Sequence, residues 1–280
     1  MRSLWAIAAR EVRTYFTSPL AYVVIGVFLA LSGYIFWVSL VRYSDLCLRF
    51  GSNPYFLNQL NVNDLVIRPL FGSIGVIFLL MMPAISMRLL SEERKSGTAE
   101  LLFTCPVTTT QVVVGKFLGA AVLPAAMLAI TVTYPLIITT KASPDLLPTL
   151  AGYFGVLLMG LSILSIGVLI SAMTENQIIA AVGAFGVNLL LWAISWAADA
   201  ARAVTLAGLL NRVSLGLWEK LGLGLDGPTL GDLLSRLSVT EHFQDFRKGI
   251  VDTEHIVFYL SAMFLALFLT QRVVESRSWR

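Results

Sequence analysis

Charge is what this sequence has least of. Of 280 residues, 13% are Asp, Glu, Lys or Arg and 57% are hydrophobic, whereas a soluble domain usually carries about 25% charged residues. An apolar surplus of that size overfills a single globular core, so the solvent it implies is lipid. The formal net charge of +3 gives no polyelectrolyte face, which argues against a nucleic-acid partner. Cysteine is nearly absent. Cys47 follows the first long apolar run and Cys105 the second, which puts them on opposite membrane faces and excludes a disulfide between them or a CxxC metal site.

Other absences narrow the function. The apolar cores of the long runs hold no Asp, Glu, Lys, Arg or His, and proton-coupled carriers and voltage sensors need such groups inside the membrane. Breaks at Pro83, Pro124 and Pro135 leave only helix-terminus ion sites open. No G-x-x-x-x-G-K-[ST] occurs, because Gly115-Lys116 is followed by Phe117, so ATP hydrolysis by a P-loop is excluded and any driving energy must come from a partner. Gly222, Gly224 and Gly227 match G-x-G-x-x-G, but no strand precedes them and no βαβ unit surrounds them, so they read as a flexible loop. The two histidines, His242 and His255, lie near Glu241, Asp245 and Glu254. Their spacing fits no metal-ligand pattern, and they read as interfacial residues near the last span. The first apolar run is longer than a signal-peptide core and no A-x-A site follows it, so it is expected to stay as a span.

What is present is a series of uncharged runs long enough to cross hydrocarbon. They predict six membrane helices, over 20–41, 69–87, 117–139, 152–173, 177–198 and 256–274. Every backbone polar group in lipid needs an internal partner, so runs of this length must be helical, and the alternation of a β-barrel is missing. The fold class is all-α. Six spans put both termini on one side. Half of the 20 Lys and Arg residues fall on each side of this layout, but they are denser in the short segments that share a face with the termini. The positive-inside rule then makes both termini cytoplasmic.

Outside the spans, residues 3–17 predict an amphipathic interfacial helix. Leu4, Trp5, Ala8, Val12, Tyr15 and Phe16 share one face, and Arg2, Arg10 and Arg13 gather opposite. Ser18-Pro19 supplies the bend into the first span. The segment 199–255 carries Leu209, Leu210, Leu215, Leu217, Trp218, Leu221 and Leu223, and later Leu230, Leu233, Leu234 and Leu237. It predicts short amphipathic helices forming an apolar hairpin on the outer face.

The segment 88–116, between the second and third spans, reads RLLSEERKSGTAELLFTCPVTTTQVVVGK. The second helix is expected to continue into water through Glu92, Glu93, Arg94 and Lys95, and Ser96-Gly97 to interrupt it. Thr98 can cap a short helix over 99–103 that Pro106 ends. Thr108 and Gln111 fit a capping box for the next helix. Glu100, Leu101, Leu102 and Phe103 would present one acidic and three apolar groups to the groove of a soluble partner.

The run EERKSGTAELLFTCPVTTTQVVVGKFLG closely resembles the hallmark of ABC type-2 exporter permeases. In that family the short helix after Gly97-Thr98 is the coupling helix that docks into the ATPase subunit. The resemblance makes Glu92, Glu93, Gly97, Thr98, Glu100, Leu101 and Pro106 coupling positions, with Leu102 and Phe103 beside them. It covers nearly the whole chain and implies one permease domain over 1–280 that binds no cofactor, with ATP and Mg held by the partner ATPase. The implied assembly contains ABC ATPase subunits and a second permease copy, identical or related, in a bacterial inner membrane, with an accessory membrane protein as a further possible member. The C-terminus, HFQDFRKGIVDTEHIVFYLSAMFLALFLTQRVVESRSWR, is similar to the ending of gliding-motility-associated ABC permeases and, more loosely, of copper-site-maturation permeases. An alternative role is therefore a membrane anchor or mechanotransmitter for a larger ATP-driven machine. The small-residue pairs Gly72/Gly75, Gly115/Gly119 and Gly183/Gly186 are candidates for close helix packing.

Overall fold

The structure, a computed structural model, describes residues 2–50, 61–95, 108–140, 144–201 and 230–278. Among these no strand occurs. The helices are α1 (Arg2–Thr17), α2 (Pro19–Phe50), α3 (Arg68–Ser86), α4 (Ser91–Lys95), α5 (Thr109–Thr131), α6 (Thr133–Thr139), α7 (Leu146–Met173), α8 (Gln177–Ala201), α9 (Leu230–Ser235), α10 (Val239–Arg247) and α11 (Thr253–Ser278). A π-helical turn, Asn63–Ile67, leads into α3. Six helical stretches among the described residues are long and apolar enough to cross a membrane. They coincide with the six runs expected from sequence, so the protein is a multi-pass, all-α membrane protein. The ends differ. α2 runs past 41 to Phe50, and its extension carries an exposed Asp45–Arg49 pair at 2.9 Å, one helical turn apart. The third span is two helices with a bend at Val132.

That bend has an identifiable cause. Pro135 has no N–H to give the carbonyl of Thr131. The freed carbonyl accepts instead from the hydroxyl of Tyr153 on α7, at 2.8 Å. A backbone group that lipid could not satisfy is thus paired by a neighbouring span.

α7 is the centre of the bundle. Of its most apolar stretch 67% is buried, against 17% for α8 and 22% each for α2 and α11, and it touches α3, α5, α8, α10 and α11. Its small residues explain how it can touch so many. A Cβ on Gly152 would run into the ring of Phe71, one on Gly160 would lie 2.6 Å from Phe78, and one on Gly167 would meet Ser86. Phe71, Phe78 and Ser86 descend α3 at near-heptad spacing, so α3 and α7 run parallel with aromatic knobs seated in glycine notches. Gly155 makes the same kind of room for Phe246 of α10.

The described segment before the last span does more than lie on a surface. α10 buries Val239, His242, Phe243 and Phe246 against the spans, and the hydroxyl of Tyr259 on α11 donates to the carbonyl of Val239 at 2.6 Å. The earlier part of the expected outer loop, residues 202–229 with Gly222, Gly224 and Gly227, lies outside the described residues. Of the three glycine pairs, Gly72/Gly75 seats the Arg247 guanidinium and the side chains of Met159 and Phe243, and Gly115/Gly119 seats α1. Gly183 faces Ile170, and Gly186 has nothing within 4 Å.

Gly152→Ala is expected to lower thermal stability in detergent by about 1–3 kcal/mol, since the added methyl must displace the Phe71 ring. Gly186→Ala should be neutral or stabilising by up to about 1 kcal/mol from helix propensity alone. Equal effects at the two positions would contradict the knob-and-notch account.

Candidate functional site

The first departure from expectation lies just below the second span. One helix was expected to continue from that span through Lys95, but a turn over 87–90 separates α3 from α4. The turn frees backbone groups in the protein interior, and one side chain of α7 takes them up. The hydroxyl of Ser171 accepts from the N–H of Leu90 and of Ser91, both at 3.2 Å, and donates to the carbonyl of Met87 at 3.0 Å. One donor and two acceptors are all a hydroxyl has, so Ser171 is fully committed to splinting this turn. The Ser91 hydroxyl bonds the Met87 carbonyl as well.

Next to the turn is a buried cation. The Lys116 ammonium, 3% exposed, lies 2.7 Å from a carboxylate oxygen of Glu11 and 2.8 Å from one of Glu93, whose side chains are 13% and 16% exposed. Three chain segments meet at this one charge: α1 through Glu11, α4 through Glu93 and α5 through Lys116. Charges shielded from water persist only with matched partners. The ion triad therefore fixes where α4 leaves the bundle relative to where α5 enters it.

α1 acts as a brace for the same joint. It runs alongside the first turns of α5 in the same direction. The Ser3 hydroxyl donates to the side-chain oxygen of Gln111 at 3.0 Å, Ile7 and the Leu4 carbonyl cover Gly115, and Glu11 and the Ala8 carbonyl cover Gly119. A Cβ at Gly119 would lie 2.5 Å from that of Glu11, so glycine at this position lets Glu11 approach Lys116. At its other end Tyr15 donates to the carbonyl of Ile85 at 2.8 Å. Burial, with the nearby Glu11 carboxylate, pushes the Tyr15 hydroxyl well up from its ordinary value, so it stays a donor. The apolar face of α1, expected to rest on headgroups, is thus spent partly on protein: Ala8 and Tyr15 are buried, while Trp5 remains 69% exposed.

Of the residues singled out from sequence, Glu92 and Glu93 lie on α4. Gly97, Thr98, Glu100, Leu101, Leu102, Phe103 and Pro106, and with them Cys105, lie outside the described residues. The segment resumes at Thr108, whose hydroxyl accepts from the Gln111 N–H at 3.4 Å while the Gln111 side chain accepts from the Thr108 N–H at 3.3 Å. This is the expected capping box. A cavity of about 510 Å³ lined by Arg10, Glu11, Tyr15, Arg88, Glu92 and Lys116, among others, opens beside the triad. Glu11, Lys116 and Ser171 were not singled out from sequence. Gly115 and Gly119 flanking Lys116 were the available signal, since paired small residues announce a close neighbour at that point.

The histidines come together at the opposite end of the bundle. His242 Nε2 donates to the carbonyl of Arg236 at 3.1 Å, which leaves its Nδ1 to accept from His255 Nδ1 at 2.7 Å. His255 Nε2 in turn faces a carboxylate oxygen of Asp245 at 3.1 Å, whose other oxygen takes the Lys248 ammonium at 2.7 Å. The chain of hydrogen bonds runs from α10 to the start of α11. Among the described residues no group of three His, Cys, Asp or Glu side chains is placed to hold a metal ion.

Lys116→Met removes the cation that Glu11 and Glu93 share. It is expected to cost about 3–5 kcal/mol, as for a broken buried pair. Adding Glu93→Gln should recover part of that loss in a double-mutant cycle of thermal unfolding. Additive effects would show that the triad is not a coupled unit. The His242–His255 contact should weaken in acid. Burial lowers His242 below the ordinary imidazole value, and its hydrogen bond to Lys248 lowers Asp245 below the usual carboxylate range. For both groups the unfolded chain binds the proton more readily. Their stabilisation is therefore present above the unfolded values and is lost as pH falls, first through the window below roughly 6.5 for His242. Thermal stability should decline over that window in the wild type and less so in His242→Gln.

Comparison with known proteins agrees with this architecture. No curated protein matches the chain. Residues 49–200, more than half of the chain, match the family described as ABC-2 family transporter protein. The match is to the family as a whole and does not single out the gliding-associated branch. It spans the second to fifth membrane helices and includes the turn over 87–90, α4 and Lys116. The chain belongs to the ABC-2 transporter family and is a transmembrane permease component of an ABC transporter, not its ATPase.

Proposed function

We propose that this permease is one membrane half of an ATP-driven exporter in a bacterial inner membrane, with both termini cytoplasmic. Segment 96–107 receives the force from an ABC ATPase subunit. The observation that carries this reading is the buried Glu11–Lys116–Glu93 triad, which clamps the two helices between which that segment is strung. Ser171 splints the turn before α4 and Thr108 caps α5, so the elements on either side of that segment are fixed and can pass displacement on. Closure of two ATPase subunits on ATP and Mg would press on Glu100, Leu101, Leu102 and Phe103. The push would pass through Gly97, Thr98 and Pro106 to α4 and α5, and through Ser171 to the central helix α7. Glu92 and Glu93 act at the base of this lever, Glu93 by holding Lys116. Two permease copies, identical or related, would rock against each other as rigid halves.

The chemistry that powers the cycle belongs to the partner, since this chain holds no P-loop. Export as the direction, and the pairing with ABC ATPases that is usual for this family, follow from the likeness of the Glu92–Pro106 run to exporter permeases.

Replacing both Glu100 and Leu101 with alanine should reduce the ABC ATPase that co-purifies with the tagged permease by about tenfold or more, the scale set by losing one interfacial anchor. The permease's own melting temperature should not change. Undiminished co-purification would remove these residues from the interface.

A further inference from the structure

At the end of the bundle opposite the triad, α3, α8 and α10 enclose a pocket of about 470 Å³, within the range of small-molecule sites. Its walls include Ser73, Trp192, Trp196, Glu241 and Arg247. Arg247 has an unusual setting. Its guanidinium lies flat over Gly72, where a Cβ would come within 3.0 Å of its central carbon. Its Nε–H donates to the carbonyl of Arg68 at 3.2 Å, and Arg68 returns the bond to the carbonyl of Arg247 at 3.3 Å. The two arginines are thus held against each other by backbone bonds, and they do not share a counter-ion. Arg68 has Asp64 at 2.9 Å, whereas Arg247 has no acidic partner among the described residues. Glu241 is on the same wall, takes the side-chain amide of Gln244 at 2.9 Å and makes no ion pair with Arg247.

An arginine held half-buried and without an anion is costly, because the guanidinium loses water without gaining a partner. Burial, together with the charge of Arg68, lowers its proton affinity from the ordinary value. A long, flexible side chain at a membrane surface would normally escape that cost by reaching into water. Here Gly72 and the Arg68 carbonyl keep it in place, with the remaining guanidinium N–H groups available to an oxyanion. The other wall carries Trp192 and Trp196, edge to face with ring centroids 4.5 Å apart. Tryptophan pairs of this kind favour the boundary between headgroup and acyl chain.

We infer that this pocket binds the phosphate or carboxylate head of an amphiphile, with Arg247 taking the oxyanion and Trp192 and Trp196 covering the start of the apolar tail. The site is independent of the ATPase-coupling segment, so its failure would leave the transport reading untouched.

The test uses the full chain in nanodiscs of a zwitterionic lipid and follows tryptophan fluorescence on titration with dodecyl phosphate, dodecyl maltoside and inorganic phosphate. Dodecyl phosphate should give a saturable change and dodecyl maltoside none. Arg247→Gln should weaken dodecyl phosphate binding by about tenfold or more, the scale of a hydrogen bond to a charged group, while Arg247→Lys should keep part of the affinity. Inorganic phosphate that competes as well as dodecyl phosphate would assign the site to a free oxyanion; weak competition would assign it to a lipid head. Equal binding of maltoside and phosphate by the wild type would overturn the inference, a comparison that needs no variant to fold. A folded Arg247→Gln protein that binds dodecyl phosphate as the wild type does would overturn it equally.

Discussion

One lysine ammonium between two carboxylates is the constraint on which the terminal end of this bundle depends. Lys116 starts the third span, Glu93 ends the extension of the second, and Glu11 comes from the helix that precedes the first. A hydrophobic contact could hold the helices together, but it would not fix their relative register. A buried charge does, because sliding by one residue would leave an ammonium or a carboxylate without its partner in a place water scarcely reaches. The packing of α1 follows from this. Glycine at 115 and 119 lets the backbone of α1 approach until Glu11 can reach Lys116.

The bundle core obeys a different rule. Lipid tails are as apolar as the helices, so there is little hydrophobic gain in bringing spans together, and shape has to supply the association. α7 supplies it with notches at Gly152, Gly155, Gly160 and Gly167 that take Phe71, Phe246, Phe78 and Ser86. Several polar side chains within this core pair backbone groups. Ser171 splints the turn below α3, Tyr153 takes the carbonyl that Pro135 frees, and Tyr259 ties α11 to α10. The first two pair backbone groups that a membrane interior would leave bare. The same helix thus carries the packing and the splint, which is why motion of the 87–90 turn would be felt along α7.

The two ends of the bundle handle charge in opposite ways. The end with α1 and α4 neutralises its buried cation internally. The end with α10 leaves Arg247 without an acid among the described residues and keeps an open pocket beside it. An internally neutralised joint would suit the proposed entry of force. An unpaired cation in a preformed pocket suits a place where a ligand completes the structure.

Much of this was legible in the amino-acid sequence. Six runs without charge can be nothing but helices in lipid. The capping box at Thr108 and Gln111 is local chemistry and was readable for that reason. The ends of the spans were less so, because a helix does not stop where hydrocarbon stops, as α2 shows by running on to Phe50. What the sequence could not decide was every contact between residues far apart in it. Nothing local says that Glu11 and Glu93 would meet on Lys116, that Ser171 would splint the turn after Ser86, or that His242 and His255 would hydrogen-bond. A lone lysine, serine or histidine has many possible partners along the chain, and only the packing of the glycine-notched helix against its neighbours selects one.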